Sequence, residues 1–131
     1  MPLVAELALE AYRGHVVLVD FFASWCEPCR KATPHYAQLK KSHLDLEIVI
    51  VDLDETSEVL LGLLPDPNVV HVVLDPNSTV AAACLVETMP TVLIFDRKSV
   101  LRERLQLSAA DPAIVAAKVA AVFADDTRAH Q

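Results

Sequence analysis

The chain has 131 residues and a mass of 14.3 kDa, which fits one domain of ordinary size and leaves no room for two. Its residues are 53% hydrophobic and 22% charged, a balance that supports a packed core and excludes an intrinsically disordered chain. The 11 basic and 18 acidic residues give a net charge of −7 without a basic cluster, so nucleic acids and anionic membranes are poor partners.

The first half of the chain alternates between predicted strands and predicted helices. Residues 16–22 form a β-branched and aromatic run typical of a strand that is buried on both faces of a sheet. Residues 28–43 carry apolar side chains at helical spacing, and residues 46–53 predict a second buried strand. A further helix is expected over residues 56–64, followed by a loop at 65–68 that contains two prolines.

A strand and a short capped helix are predicted next. Residues 69–74 have the β-branched composition of a third strand. The helix that follows is expected to extend to about Leu85. Its N-cap is predicted to be Ser78 or Asp75, because the side-chain oxygens of both residue types accept hydrogen bonds from the first turn of a helix.

The C-terminal part predicts a hairpin and a final helix. Residues 91–96 predict a fourth strand, and residues 100–107 are its expected antiparallel partner. The segment 108–111 resembles a capping box for a last helix over 112–124, which has proline in its first turn. The polar tail, 125–131, is expected to fray, so the predicted domain ends at residue 124. This order of elements predicts an α/β fold, with a mixed central sheet of about five strands and helices on both faces.

The chemically informative segment is Trp25-Cys26-Glu27-Pro28-Cys29, which directly follows the first predicted strand and opens a helix. Unpaired N–H groups at a helix N-terminus favour a thiolate over a thiol, so Cys26 is the expected attacking sulfur. Cys29 lies one turn further into the helix, and we expect it to be more buried and to resolve a mixed disulfide. Pro28 suits the first turn of a helix because it lacks an N–H.

Two cysteines at this spacing also occur in zinc half-sites and in structural disulfides. A zinc site needs further cysteine or histidine ligands, but Cys84 is isolated, and His35 and His43 lie on the cysteine helix itself. A structural disulfide across so short a loop gains little stability. A redox dithiol that needs neither a metal nor an organic cofactor is therefore favoured, with the two alternatives left open.

Residues 19–30 closely resemble the active-site segment of thioredoxin-fold proteins, and residues 89–91 (Met-Pro-Thr) resemble the loop in which that family carries a cis-proline. The stretch 56–75 looks like the central insertion of the TlpA/ResA branch of envelope thiol–disulfide oxidoreductases. Residues 9–14 look like the segment that leads into the first core strand of that branch. The resemblance covers residues 9–123.

The resemblance implies roles for residues outside the cysteine pair. Trp25 would shield Cys26 and form part of the surface that faces a partner protein. Asp20 matches the buried acid that takes the proton of the resolving cysteine, and burial raises the pKa of such a carboxyl towards neutral pH. Pro90 would be cis and would present the backbone of Met89 to an extended segment of the partner.

Glu27 matches the Glu-Pro dipeptide found in some ResA-like reductases. A carboxylate beside Cys26 should raise the pKa of its thiol and make the couple more reducing, although exposure to solvent would screen that charge. Cys84 leaves an odd number of cysteines. We expect Cys84 to be a small buried hydrophobe, with a thiol on the partner-facing surface as the alternative.

Taken together, the resemblance implies a protein thiol–disulfide oxidoreductase that reduces disulfides of client proteins, in cytochrome c maturation or envelope redox homeostasis. It implies an upstream thiol donor, and we expect the protein to be a monomer. The alternatives are a cytoplasmic thioredoxin recycled by thioredoxin reductase, and a redox-inactive binding module of thioredoxin fold.

The branch resemblance favours an extracytoplasmic location, either periplasmic or membrane-anchored with the leader removed, over a cytoplasmic one. Residues 1–8 do not have the basic region, apolar core or cleavage site of a signal peptide. No apolar stretch approaches the roughly 20 residues that a membrane-spanning helix needs.

Overall fold

The computed structural model describes residues 9–129, so the predictions made for residues 1–8 and for the last two residues of the tail lie outside the described residues. The strands are β1 (Val17–Phe22), β2 (Glu47–Asp52), β3 (His71–Leu74), β4 (Thr91–Phe95) and β5 (Leu101–Gln106). They form one sheet in the order β3-β2-β1-β4-β5. The first three strands are parallel, whereas β4 is antiparallel to β1 and β5 is antiparallel to β4. The predicted mixed sheet of five strands is confirmed.

Five α-helices occur within residues 9–129. They are α1 (Glu27–Ala32), α2 (Tyr36–Ser42), α3 (Glu58–Leu63), α4 (Thr79–Ala83) and α5 (Pro112–Ala129). The stretch 56–75 supplies α3 and the edge strand β3. None of the described helices combines the length and the apolar composition that crossing a bilayer requires.

The helix predicted over residues 28–43 is divided into α1 and α2 by a 3-10 turn, Thr33–His35. Pro34 lacks the N–H that would continue the α-helical hydrogen bonding. The Thr33 hydroxyl donates to the carbonyl of Cys29 at 2.9 Å and closes the end of α1. The sequence prediction of one continuous helix is therefore wrong at this point, and the break places Tyr36 at the start of a new helix.

Aspartates cap both of the later helices. The Asp75 carboxylate accepts hydrogen bonds from the N–H groups of Val80 and Ala81 at 3.0 Å each, whereas Ser78 makes no side-chain cap. Asp111 accepts from the N–H of Ala113 at 3.0 Å. The expected capping box at 108–111 is not formed, because its first residue lies inside a 3-10 helix, Leu107–Ala110.

The last helix continues past residue 124, where it was predicted to end, and reaches Ala129. Asp125 pairs with the guanidinium of Arg102 at 2.8 Å, and Asp126 accepts a hydrogen bond from the N–H of Arg97 at 3.3 Å. These contacts with the β4–β5 hairpin hold the polar turn in helical form. The expectation that the tail frays from residue 125 is therefore corrected.

The central strand β1 separates two apolar clusters that lie on opposite faces of the sheet. Leu18 and Phe22 belong to the cluster that α1, α2 and α5 cover, whereas Val19 and Phe21 belong to the cluster that α4 covers. Successive side chains of a strand point to opposite faces. Asp20, between Val19 and Phe21, therefore points to the same face as Leu18 and Phe22, which we call the cysteine face because both motif cysteines pack there.

Candidate functional site

The two motif cysteines lie where β1 ends and α1 begins. Cys26 is the N-cap of α1, and its Sγ accepts a hydrogen bond from the N–H of Cys29 at 3.3 Å. The two sulfurs are joined in a disulfide. The structure thus confirms the predicted placement of Cys26 at a helix N-terminus, where N–H groups favour a thiolate once the disulfide is reduced.

The exposure of the two motif cysteines differs from the sequence prediction. Cys29 is 1% exposed, but Cys26, expected at the exposed end of the helix, is only 4% exposed. Each sulfur covers the other in the disulfide, and both residues pack in the apolar cluster of the cysteine face. The residue that faces solvent is Trp25, which is 70% exposed and lies beside the pair. Trp25 is therefore available to contact another protein.

Asp20 is buried on the cysteine face. It is 2% exposed, and its neighbours in the sheet register are Ile50 on β2 and Val92 on β4, both apolar. Burial raises the pKa of Asp20 to about 8, and the neighbouring Tyr36 side chain partly opposes the rise. The Oδ2 atom of Asp20 is buried without a hydrogen-bond partner. A carboxyl group in this state can exchange a proton near neutral pH.

Glu27 lies outside the buried site. Its carboxylate pairs with the Lys31 ammonium at 3.0 Å, one helical turn away, and its side chain is 65% exposed. The hydrogen bond with Lys31 lowers the pKa of Glu27. The charge that was expected to oppose the Cys26 thiolate is thus balanced by a neighbouring cation and screened by water.

The sequence analysis did not predict a polar network at Ser24, the residue before Trp25. The Asp54 carboxylate accepts hydrogen bonds from the N–H of Ser24 at 3.0 and 3.1 Å and from the Ser24 hydroxyl at 2.9 Å. The Arg30 guanidinium donates to the Ser24 carbonyl. One signal was present, because Asp52 ends the parallel strand β2 and Asp54 follows it, and the carboxyl ends of parallel strands meet at one edge of a sheet.

Asp52 supports this network from inside the protein. It is 0% exposed, one of its oxygens accepts from the N–H of Asp54 at 3.0 Å, and its Oδ2 has no partner. Burial raises the pKa of Asp52 to about 6, with the neighbouring Asp54 adding to the rise. The two aspartates fix the turn after β2 against the segment that leads into the cysteines.

A groove of about 470 Å³ lies against α1. Its walls include Pro28, Lys31, Met89, Pro90 and Leu107. The Met89–Pro90 peptide bond is cis, and the Pro90 carbonyl accepts a hydrogen bond from the N–H of Leu107 at 2.9 Å. The structure therefore brings the motif proline Pro28 together with Met89 and Pro90, more than 60 residues further along the chain.

The third cysteine is buried away from the pair. Cys84 is 0% exposed and belongs to the apolar cluster on the opposite face of the sheet. Burial raises the pKa of its thiol, and its carbonyl accepts a hydrogen bond from the Arg104 guanidinium at 2.9 Å. The expectation of a small buried hydrophobe agrees with this position.

Comparisons with known proteins identify the family. A thioredoxin-like family model matches residues 14–100, more than half of the chain, so the chain belongs to the thioredoxin-like family. The fold and the bonded Cys26–Cys29 pair define a protein of thioredoxin fold with a disulfide in a Cys-x-x-Cys motif.

Individual relatives show the same likeness. The thioredoxin-like protein YneN of Bacillus subtilis is 31% identical over 100 residues, which cover 73% of this chain and 59% of that protein. A Chlorobium tepidum structure named for a thiol:disulfide interchange protein DsbE superposes with a TM-score of 0.76 at 28% identity, over 87% of this chain and 84% of that one.

A secreted Mycobacterium tuberculosis disulfide oxidoreductase superposes with a TM-score of 0.72 at 15% identity, over 86% of this chain and 85% of that one, and shows the shared fold. The chain aligns with less than two thirds of the length of the curated relatives that it matches first.

Proposed function

We propose that the protein is a monomeric reductant of disulfides in client proteins. The observation that carries this proposal is the bonded pair at the start of α1, where the Cys26 sulfur accepts the Cys29 N–H. The redox-active group is the disulfide itself, and no metal or organic cofactor takes part in the exchange.

The reaction begins from the reduced pair. The Cys26 thiolate attacks a sulfur of the client disulfide, so the client S–S bond breaks, a mixed disulfide forms, and the first client thiolate leaves and takes up a proton. Cys29 then gives its proton to the Asp20 carboxylate and attacks the Cys26 sulfur. The Cys26–Cys29 bond forms and the second client thiolate is released, so two electrons have passed to the client. A dithiol donor returns the pair to the reduced state.

The position of Asp20 supports its role as the proton acceptor. Its carboxyl lies on the cysteine face, has an unpartnered oxygen and has a pKa of about 8. At that pKa a fraction of Asp20 is ionised near neutral pH, and the protonated form is stable enough to hold the proton after transfer.

Clients are proposed to dock in the groove between α1 and the Pro90 loop. The half-buried Met89 and the exposed Leu107 offer apolar contact next to the backbone of the Pro90 loop, and the exposed ring of Trp25, which precedes Cys26 in the chain, adds a further apolar surface. An extended client segment would pair with that backbone by strand addition, which is tolerant of sequence.

We also propose an extracytoplasmic location, in a pathway of the cytochrome c maturation or envelope homeostasis type. Support comes from the likeness of residues 56–75 to the insertion of the TlpA/ResA branch and from the secreted structural neighbour. Labelling of the reduced pair by a membrane-impermeant maleimide in intact cells tests the location. Protection of the pair until lysis would contradict it.

Three single-cysteine variants test the activity. With insulin as the client and dithiothreitol as the donor, Cys26→Ser is expected to lose reduction above the background rate of dithiothreitol alone. Cys29→Ser is expected to accumulate a mixed disulfide, visible as a reducible band on a gel. Cys84→Ser is the matched control and should keep full activity, because Cys84 packs on the opposite face. Undiminished turnover by Cys26→Ser would refute the proposal.

A further inference from the structure

Leu107 has a backbone conformation that leucine rarely adopts. It lies on the wall of the groove between α1 and the Pro90 loop, which we call the client groove. Its φ is 54°, in the left-handed region, and its side chain is 55% exposed. In this region the β-carbon comes close to the following carbonyl oxygen, so glycine or asparagine is the usual residue. A large apolar side chain at such a position needs a physical reason.

The backbone at Leu107 has a structural role that does not require its side chain. β5 ends at Gln106, and a 3-10 helix begins at Leu107. At this junction the N–H of Leu107 donates to the Pro90 carbonyl at 2.9 Å. The left-handed turn thus directs a backbone donor at the Pro90 loop, and glycine or asparagine would supply the same donor with less strain.

The hydrophobic core does not account for the leucine either. Leu107 belongs to neither of the two apolar clusters, and more than half of its side chain is exposed. The residue instead lines the client groove. Strained backbone positions are concentrated where a protein contacts its ligands. The conformation and the exposure of Leu107 therefore point to a contact with a client.

The charged side chains of the client groove already have partners. The Lys31 ammonium pairs with Glu27 at 3.0 Å, and the Asp111 carboxylate accepts a hydrogen bond from the N–H of Ala113 at 3.0 Å. The other walls are mainly apolar and include Pro28, which lies between the two motif cysteines in the chain. An apolar side chain near the reacting cysteine of a client therefore fits this groove better than a charged one.

We propose that Leu107 is a specificity-determining residue that favours clients with a large apolar side chain beside the reacting cysteine. This inference rests on the proposed function, since it concerns the clients of the Cys26–Cys29 pair. The apolar side chain of the client covers the exposed face of Leu107, and the removal of both surfaces from water stabilises the complex. The leucine thus costs stability in the free protein and gains affinity for this class of client.

Leu85 provides a matched control. It is the other leucine with positive φ among residues 9–129, at 58°, its side chain is 70% exposed, and it lies outside the client groove. Asparagine tolerates the left-handed conformation and is polar, so Leu107→Asn and Leu85→Asn make the same change at two positions. Both variants should unfold at the urea concentration of wild type or at a higher one. Earlier unfolding of Leu107→Asn alone would show that the leucine serves the fold and would overturn the inference.

The probes are two synthetic peptides, each with one cysteine oxidised to the symmetric disulfide. The residues that flank the cysteine are leucine in one peptide and serine in the other. The reduced protein is mixed with excess peptide at several concentrations, and the formation of the Cys26–Cys29 disulfide is followed by acid quenching and thiol trapping.

Wild type should reach its half-maximal rate at about a tenfold lower concentration of the leucine peptide than of the serine peptide, because an apolar contact is buried in the complex. The maximal rates with the two peptides should be similar. Leu107→Asn should lose the preference, whereas Leu107→Met and Leu85→Asn should keep it. A preference that Leu107→Asn retains would overturn the inference.

A second measurement keeps the natural leucine at position 107. In Cys29→Ser the leucine peptide is held as a mixed disulfide with Cys26, and NMR records contacts between methyl groups. Nuclear Overhauser effects between the Leu107 methyls and the leucines of the peptide are expected, and their absence would overturn the inference. Sedimentation tests the other occupant, because a wild-type dimer that Leu107→Asn converts to a monomer would show that a second copy covers the residue.

Hydroxyethyl disulfide separates this inference from the proposed function, because it has no side chain for Leu107 to contact. Wild type, Leu107→Asn, Leu107→Met and Leu85→Asn should reduce it at the same rate. Reduction of this compound by a wild type that shows no preference between the peptides would overturn the role of Leu107 and leave the proposed function intact. Failure of wild type to reduce any of the three disulfides would overturn the proposed function, and the inference with it.

Discussion

The Asp54 carboxylate holds both the backbone N–H and the hydroxyl of Ser24, with donor–acceptor distances between 2.9 and 3.1 Å. Ser24 precedes the exposed Trp25 by one residue and Cys26 by two. The turn after β2 therefore anchors the segment that carries Cys26 and the neighbouring indole of Trp25.

Asp54→Ala should loosen this segment. The loss of hydrogen bonds to a charged acceptor is expected to lower the free energy of unfolding by about 2 kcal/mol. Ser24→Ala removes only the hydroxyl bond and should cost roughly 1 kcal/mol. Urea unfolding of the oxidised proteins measures both. The double variant should match Asp54→Ala, and additive losses would show that the two residues act independently.

Asp20→Asn should change the pH dependence of stability. The pKa of Asp20 is about 8 in the folded protein and near the ordinary value of 3.8 in the unfolded chain. The folded state therefore binds a proton that the unfolded state has lost, and wild-type stability falls by up to about 1.4 kcal/mol per pH unit between these values. Asp20→Asn has no carboxyl at this position, so its stability lacks this pH dependence. The stability of the variant relative to wild type should therefore rise from pH 4 to pH 8 and stay constant below pH 4. Denaturant titrations across this range measure the free energy of unfolding of both proteins. If the two free energies had the same pH dependence, the raised pKa of Asp20 would be contradicted.

Cys84 is expected to be unreactive in the folded protein. It is 0% exposed, and burial raises the pKa of its thiol, so little thiolate is available. The oxidised native protein should release no thionitrobenzoate from Ellman's reagent and should react once per chain after unfolding in guanidinium chloride. Cys84→Ser should give no reaction in either state. A fast native reaction would instead favour a thiol on the partner-facing surface.

Glu27 and Lys31 are expected to have small and opposite effects on the reduction potential. Removing the carboxylate with Glu27→Gln favours the Cys26 thiolate and should raise the potential, by about 10 mV because the pair is solvated. Lys31→Met removes the cation and should lower it by a similar amount. Equilibration with glutathione buffers measures the shifts. A large change in Glu27→Gln alone would show that Lys31 does not balance the carboxylate.

Local sequence signals were sufficient to predict the parts of the site whose residues are close together in the chain. The apolar run before the motif, the proline after Glu27 and the helical spacing that follows identified the end of β1 and the start of α1. The proline at 34 was also visible, but tertiary packing decides whether a proline kinks a helix or divides it.

Contacts between segments that are distant in the chain could not be predicted from local sequence patterns. Ser24 and Asp54 are 30 residues apart, and their bond depends on the pairing of β1 with β2. Tyr36 fitted the apolar periodicity of a helix, but its packing in one cluster with Cys26 and Cys29 depends on how α2 lies on the sheet. The end of α5 was missed for a similar reason, since its last polar turn is held by arginines of the hairpin.

The most direct test is the equilibrium reduction potential of the Cys26–Cys29 pair. The protein is poised in thiol–disulfide buffers, and the fluorescence of Trp25, the one tryptophan in the chain, reports its redox state with thiol trapping as the check. A reductant of client disulfides is predicted to have a potential near or below about −250 mV. A potential above about −180 mV would place the pair with oxidases and isomerases and would reverse the proposed direction of electron flow.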